Sequence, residues 1–293
     1  MNKTTQFRAL LKRPGCTVCT GCWDPLSAKL VEQAGFEVAY MSGAAVAASM
    51  IGKNDLGYMT QTEVADNVRR ITQAIDIPLV ADADDGFGNS LNVQRTVRLY
   101  EQAGAVALHI EDMRMPKRCK DRGAGGLVPR EVMERKIAAA VDARRDPDFL
   151  IIARTDTYEG IDEAIARGNA YAKAGVDMTF VVGLSSVEEM RRVCKEIPVP
   201  QLIYQHAGIA TPTLPVSELE EIGYKLVQYP IQAFECAYTA ARDWLKALRA
   251  TAMDDKTREP AKSFPFSVLF EFEDILGITN DRRLQDSYLP KEL

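Results

Sequence analysis

The sequence predicts an α/β protein, a (β/α)8 barrel with a C-terminal helical extension. Three observations predict it: eight short apolar runs recur along most of the chain, longer amphipathic segments lie between them, and most of the apolar runs end in polar or charged groups. Apolar runs without polar alternation suit a parallel sheet covered on both faces. An even series of eight strand–helix units suits closure into a barrel better than a doubly wound open sheet. With 293 residues and 46% apolar composition the chain is long enough to bury such a core. No linker or low-complexity tract divides it, so it reads as one domain over 1–293, with 231–293 as the extension.

The expected strands are "CTVCTGC" (16–22), "FEVAYMSG" (36–43), "IPLVADAD" (77–84), "AVALHIED" (105–112), "FLIIARTD" (149–156), "VDMTFVVG" (176–183), "VPQLIYQH" (199–206) and "YKLVQYP" (224–230). Among the expected helices, "DPLSAKLVEQAG" (24–35) has Asp24 as N-cap, Pro25 in the first turn and Gly35 to end it. "TQTEVADNVRRITQAI" (60–75) opens on Thr60 with Glu63 three residues on, a capping-box pattern. "SLNVQRTVRLYEQAG", "PREVMERKIAAAVDARRD", "GIDEAIARGNAYAKAG" and "SSVEEMRRVCKEI" complete the regular set. Beyond them "FECAYTAARDWLKALRA" is amphipathic, and "FPFSVLFEFEDILG" (264–277) is too apolar for a free tail; the expectation is that it packs on another subunit.

The net charge is −5, and no basic stretch interleaves with aromatics, which argues against nucleic acid as a partner. No apolar run approaches the ~18 residues of a membrane span, and "MNKTTQFRALLKRPG" lacks the apolar core of a secretory signal. A cytoplasmic protein with reduced thiols is the expectation. The spacing of Cys16, Cys19 and Cys22 leaves two readings open. One is a zinc or iron–sulfur site, for which a fourth ligand is missing. The other is a set of buried thiols on a strand, where residues three apart face opposite ways.

In a (β/α)8 barrel the chemistry gathers at the carboxyl ends of the strands. Here those ends bring Ser42, Gly43 and Ala44; Asp82, Asp84 and Asp85; Glu111 and Asp112; Arg154, Thr155 and Asp156; and Tyr204, Gln205 and His206 to one rim. Acids on neighbouring strands repel unless a cation separates them, and carboxylate oxygens suit Mg2+ or Mn2+. The bland alternative is that Asp82 and Asp84 merely cap a loop. His206, at a strand end, is a candidate substrate contact; His109, inside an apolar run, is expected to be mainly structural.

Four stretches then carry a resemblance: "YMSGAAVAASMIGKNDLGYMT", "PLVADADDGFGNSLNVQRTV", "LHIEDMRMPKRC" and "DPDFLIIARTDTY". They resemble the isocitrate lyase/phosphoenolpyruvate mutase superfamily, and most of all its short members, the 2-methylisocitrate lyase-type carbon–carbon lyases. "YPIQAFECA" matches their eighth-strand segment, so the likeness covers nearly the whole chain. The resemblance implies a (β/α)8 barrel, dependence on Mg2+ and a homotetramer with an exchanged C-terminal helix. It implies that Asp84 ligates the metal directly while Asp82 and Glu111 act through its waters. It implies that Ser42, Gly43 and Ala44 cradle an α-keto acid carboxylate, that Asp55 reaches in from a loop, and that Arg154 clamps a substrate carboxylate. Lys117, Arg118 and Cys119 match the start of the lyase signature, in which the cysteine acts as general acid.

The expected activity is Mg2+-dependent cleavage of a 2-hydroxy di- or tricarboxylate, methylisocitrate- or substituted-malate-like, to an α-keto acid and a carboxylate. The chain also departs from the lyases. Lys120 and Asp121 replace Gly-His after the cysteine, Val182 stands where a glutamate is expected, and Tyr204 where an asparagine is. An oxaloacetate decarboxylase is the main rival expectation, a phosphonate-related mutase the next, and a non-catalytic dicarboxylate binder the last.

Overall fold

The computed structural model describes residues 2–117, 125–252 and 273–288. Eight strands, β1 (Thr17–Cys22), β2 (Ala39–Met41), β3 (Leu79–Asp82), β4 (Ala107–Glu111), β5 (Leu150–Asp156), β6 (Met178–Val182), β7 (Gln201–Tyr204) and β8 (Leu226–Tyr229), pair in chain order, and β8 closes on β1. Every pairing is parallel. Each strand lies within one of the eight apolar runs, trimmed at its ends.

Between the strands run α2 (Pro25–Gln33), α3 (Gly43–Ile51), α4 (Gln61–Ala74), α5 (Ser90–Gln102), α6 (Arg130–Ala143), α7 (Ile161–Lys173), α8 (Val187–Glu196) and α9 (Val216–Ile222). The caps read from sequence are in place. Ser27 N donates to Asp24 Oδ1 at 2.7 Å, and the Thr60–Glu63 capping box closes in both directions. On α2 Val31 is buried, while Leu30 is 46% exposed.

Alternation sorts each strand into two faces. Leu108 and Ile110 of β4 pack outward among Leu79, Ala81, Val93, Val97 and Ile137. Ala107 of the same strand packs inward with Tyr40, Val80, Leu150, Ile152, Met178 and Phe180. The helix α1 (Lys3–Lys12) adds Phe7 and Leu10 to that interior cluster. This helix is short and polar on balance, and its two apolar anchors carried no signal until the barrel gave them a place.

Cys19 belongs to the interior cluster and Cys22 to the outer one, so the two thiols face opposite sides of β1. Cys16 Sγ donates to the Tyr224 carbonyl at 3.1 Å. The spacing thus reads as buried thiols on a strand; burial pushes Cys16 up to about 11 and Cys19 and Cys22 higher still. Gly21, between them, is required by close approach: a Cβ there would lie 1.9 Å from the Pro230 carbonyl oxygen.

The residues divide into two compact units, 1–234 and 235–293. The first is the barrel. Within the described part of the second lie most of α10 (Gln232–Ala252) and all of α11 (Ile278–Tyr288). Both present large apolar groups to solvent: Tyr238 is 56%, Leu245 57% and Tyr288 81% exposed. Most of 264–277, the segment expected to pack on a neighbouring subunit, lies outside the described residues.

Candidate active site

Strand register builds the site. In the β3–β4 pairing Asp82 stands beside His109, and in the β4–β5 pairing Glu111 stands beside Arg154. All four are in register with strand positions that face the barrel interior. Arg154 Nε approaches Glu111 Oε2 at 3.3 Å, and its guanidinium lies over the Phe180 ring, 5.3 Å from the centroid. Phe180 in turn meets Tyr204 edge-on at 5.7 Å. Below Asp82, His109 stacks on Tyr40 at 5.6 Å. Its Nε2 lies 2.9 Å from the Tyr40 hydroxyl, and its Nδ1 lies 3.6 Å from Asp82 Oδ1.

Lys117 is buried at the centre of the cluster. Its ammonium lies 2.9 Å from Asp84 Oδ1, 3.1 Å from Asp55 Oδ2 and 3.3 Å from Glu111 Oε1. It therefore ties three segments together: the α3–α4 loop, the loop after β3 and the end of β4. Burial works against the charged lysine, but the surrounding Asp84, Glu111, Asp82 and Asp55 outweigh it and hold its pKa well above the ordinary lysine value. Burial pushes Glu111 and Asp84 upward, with Lys117 opposing. Asp82 is pulled below the usual carboxylate range despite its burial, because His109, Lys117 and Arg154 favour its charged form. His109 is depressed to about 4, chiefly by burial, and is neutral at neutral pH.

The loop 52–60 and the first turn of α3 form a small pocket whose lining includes Gly43, Asp55, Tyr58, Asp82 and Asp84. Ser42 is the N-cap of α3, and its hydroxyl accepts from Ala45 N at 3.5 Å. Gly43 lies so close to Asp82 that a Cβ would sit 2.7 Å from Oδ2. The amino end of α3, with Gly43 and Ala44 in its first turn, thus stands over the acids, where its backbone N–H groups favour an anion.

The residues present fit a hard divalent cation. Around the site stand four carboxylates, Asp55, Asp82, Asp84 and Glu111, against two cations, Lys117 and Arg154, among the described residues. Neither Glu111 oxygen receives a hydrogen bond from a described residue, although both are buried. Among the described residues no three His, Cys, Asp or Glu side chains converge as a ready-made ligand set.

Several expected site residues turn elsewhere. Asp112 faces outward and is bound by Thr155 Oγ1 at 2.8 Å, Arg167 Nη1 at 3.1 Å and Tyr171 OH at 2.5 Å. Asp85 is taken by Lys136. His206 is half-buried just past β7. Arg118 and Cys119 lie outside the described residues. His109, expected to be mainly structural on the face it shares with Glu111, is packed and hydrogen-bonded there. Sequence reasoning passed over Tyr40 and Lys136, for which no signal existed short of the folded register.

A surface cavity of about 590 Å3 lies at the other mouth of the barrel and is lined by Lys3, Thr4, Gln102, Val106 and Phe149. It holds none of these groups.

Known proteins agree with this geometry. The phosphoenolpyruvate phosphomutase family matches residues 7–249. The chain is 40% identical to the 2,3-dimethylmalate lyase of Eubacterium barkeri over 291 residues, 98% of this chain and 99% of that one. It is 40% identical to the 2-methylisocitrate lyase of Aeropyrum pernix over 244 residues, 83% and 78% of the two chains. A solved phosphonopyruvate hydrolase complex with oxalate and Mg2+ superposes with a TM-score of 0.86 at 32% identity, covering 99% of this chain and 100% of that one. Matching in sequence over nearly its full length and in its closed parallel barrel, this chain belongs to the isocitrate lyase/phosphoenolpyruvate mutase superfamily and is an enzyme of it.

Proposed function

We propose that this enzyme is a Mg2+-dependent carbon–carbon lyase that cleaves a 2-hydroxy di- or tricarboxylate to an α-keto acid and a carboxylate. The observation that carries the reading is the carboxylate cluster about Lys117 with Arg154 beside it at the carboxyl rim of the barrel. The lyase names of two relatives that share 40% of its residues support it.

Asp84 would hold the cation directly, with Asp82 and Glu111 acting through its water. When bound, Mg2+ or Mn2+ supplies positive charge against the oxygens of a 2-hydroxy or 2-keto acid. The chain's own groups do the rest. Arg154, fixed by Glu111 and the Phe180 face, presents a planar fork to a substrate carboxylate. Ser42, Gly43 and Ala44 offer a hydroxyl and the first-turn N–H groups of α3 to the keto-acid carboxylate. Asp55 and Lys117 link the loop above the pocket to the acids. Breaking the C2–C3 bond passes the hydroxyl proton to a base and leaves an electron pair on the departing carbon. Cys119, with Lys117 and Arg118 adjacent in sequence, supplies the proton that quenches that carbanion. His206 remains a candidate contact on the substrate side of β7. The chain would work as a cytoplasmic homotetramer of single-domain protomers, with 231–293 as the exchanged extension.

A product screen tests the reading. The protein with Mg2+ is incubated with substituted malates, citrates, methylisocitrate and oxaloacetate, and pyruvate or glyoxylate release is followed. Turnover of a 2-hydroxy acid that stops with EDTA and returns with Mg2+ is the expected outcome. Turnover of oxaloacetate alone favours the decarboxylase, and full activity of a metal-free Asp84→Ala variant sinks the metal assignment.

A further inference from the structure

The acid that the site needs, Asp84, sits in an unusual stretch of backbone. Asp84 has φ 45° and Phe87 φ 62°, both in the left-handed region, with Gly86 and Gly88 also at positive φ. Such a conformation at non-glycine residues persists only where the surroundings impose it. Part of the restraint is local. Asp84 N donates to Asp82 Oδ1 at 3.0 Å, Gly86 N to the Ala83 carbonyl at 2.8 Å and Phe87 N to Asp85 Oδ1 at 2.9 Å. On the side of β4, Glu111 N donates to the Asp84 carbonyl at 2.8 Å.

A further restraint comes from α6. Lys136, on α6, is only 6% exposed, and its ammonium donates to the Asp85 carbonyl at 2.7 Å and to Asp85 Oδ2 at 3.0 Å. The same charge therefore grips the main chain and the side chain of the residue that follows Asp84. Three acids lie within four residues here, and only Asp85 is turned away from Lys117 and the barrel interior.

We infer that Lys136 is a positioning residue that decides which acid of the Asp84–Asp85 pair faces the cation. By holding Asp85 outward it keeps Asp84 curled toward the site, and it neutralises a carboxylate that would otherwise compete. Because α6 begins just after the ribbon in which Met113 bridges Leu127, the clamp also joins the β3 loop to the base of the loop that carries Lys117 and Cys119. The inference rests on the metal reading above, and its test separates the two.

The measurement is Mn2+ binding by electron paramagnetic resonance of the free ion, which needs no turnover. Lys136→Met should weaken binding about 10- to 100-fold, as loss of groups that orient a ligand does. In kinetics the metal concentration for half-activity should rise more than the rate at saturating metal falls. Arg144→Met is the control. Arg144 makes a comparable ion pair with Asp177 at 2.7 Å, at the opposite mouth of the barrel, and its loss should leave Mn2+ affinity at the wild-type value. If Lys136→Met does not fold, Lys136→Gln takes its place, since it removes the charge that pairs with Asp85 while keeping a polar side chain, and should weaken binding by a similar factor. Affinity within twofold of wild type in the folded variant overturns the clamp, as does an equal loss in Arg144→Met. A wild-type enzyme that takes up no Mn2+ overturns the metal reading instead.

Discussion

Gly43 shows how little room the site leaves. A methyl group there would lie 2.7 Å from Asp82 Oδ2 and 3.0 Å from its Cγ. Gly43→Ala should therefore push the carboxylate out of place and reduce turnover more than tenfold, about 1.4 kcal/mol or more in activation free energy. Because Gly43 is the first residue of α3, where alanine is a good helix former, the thermal midpoint should barely move. Wild-type kcat/KM in the purified variant would contradict the packing. Cys119 is argued from sequence alone. Positioned proton donors contribute about 10²–10⁴ in rate, so Cys119→Ser should lose that much lyase turnover and keep metal and substrate affinity. If the substrate is oxaloacetate, the enolpyruvate left after CO2 departs takes its proton from solvent. Decarboxylation should then survive the substitution, and one variant assayed on both substrates separates the two chemistries.

At the scale of elements, the stem of the loop after β4 is held as a unit. Arg114 N donates to the Gly126 carbonyl and Val128 N to the Asp112 carbonyl, both at 2.8 Å. Arg167 of α7 bonds the Val128 carbonyl at 2.9 Å and pairs with buried Asp112. Asp112 thus points away from the rim, yet it anchors the segment that delivers Lys117. Breaking a buried pair by removing one partner leaves a charge without compensation, at a cost of about 3–5 kcal/mol. Arg167→Met should lower the free energy of unfolding, measured by denaturant titration, by that much and loosen the stem, seen as faster amide exchange at Arg114 and Val128. A loss below about 1 kcal/mol would mean that Thr155 and Tyr171 hold Asp112 unaided.

The whole molecule poses the question of assembly. The barrel satisfies its own edges by closing β8 on β1. Among the described residues of the second unit, Tyr238, Leu245 and Leu276 are exposed. "FPFSVLFEFEDILG" adds further large apolar side chains. If the proposed tetramer forms, deleting residues from 264 onward should give monomers or aggregates, measured by sedimentation. A truncated chain that stays a soluble, active tetramer would refute the exchange of this segment.

The barrel was legible in the sequence because each strand is a short continuous apolar run and most runs end in groups that water or substrate must meet. Asp24 and Thr60 marked helix starts for a local reason, the unpaired N–H groups of a first turn. Asp82, Asp84, Glu111 and Arg154 were found by position at strand ends, and the fold draws them together. What the sequence could not decide is which polar residue at each end faces inward. Glu111 and Asp112 are neighbours of like charge, yet alternation sends one to Arg154 and the other to Arg167. Asp84 and Asp85 are neighbours too, yet Lys117 holds the first and Lys136, distant in sequence on α6, holds the second. Composition and periodicity are properties of single segments and set the elements. The facing of side chains, and hence the chemistry of the rim, depends on parallel register and on charges brought from other helices, which exist only once the barrel has closed.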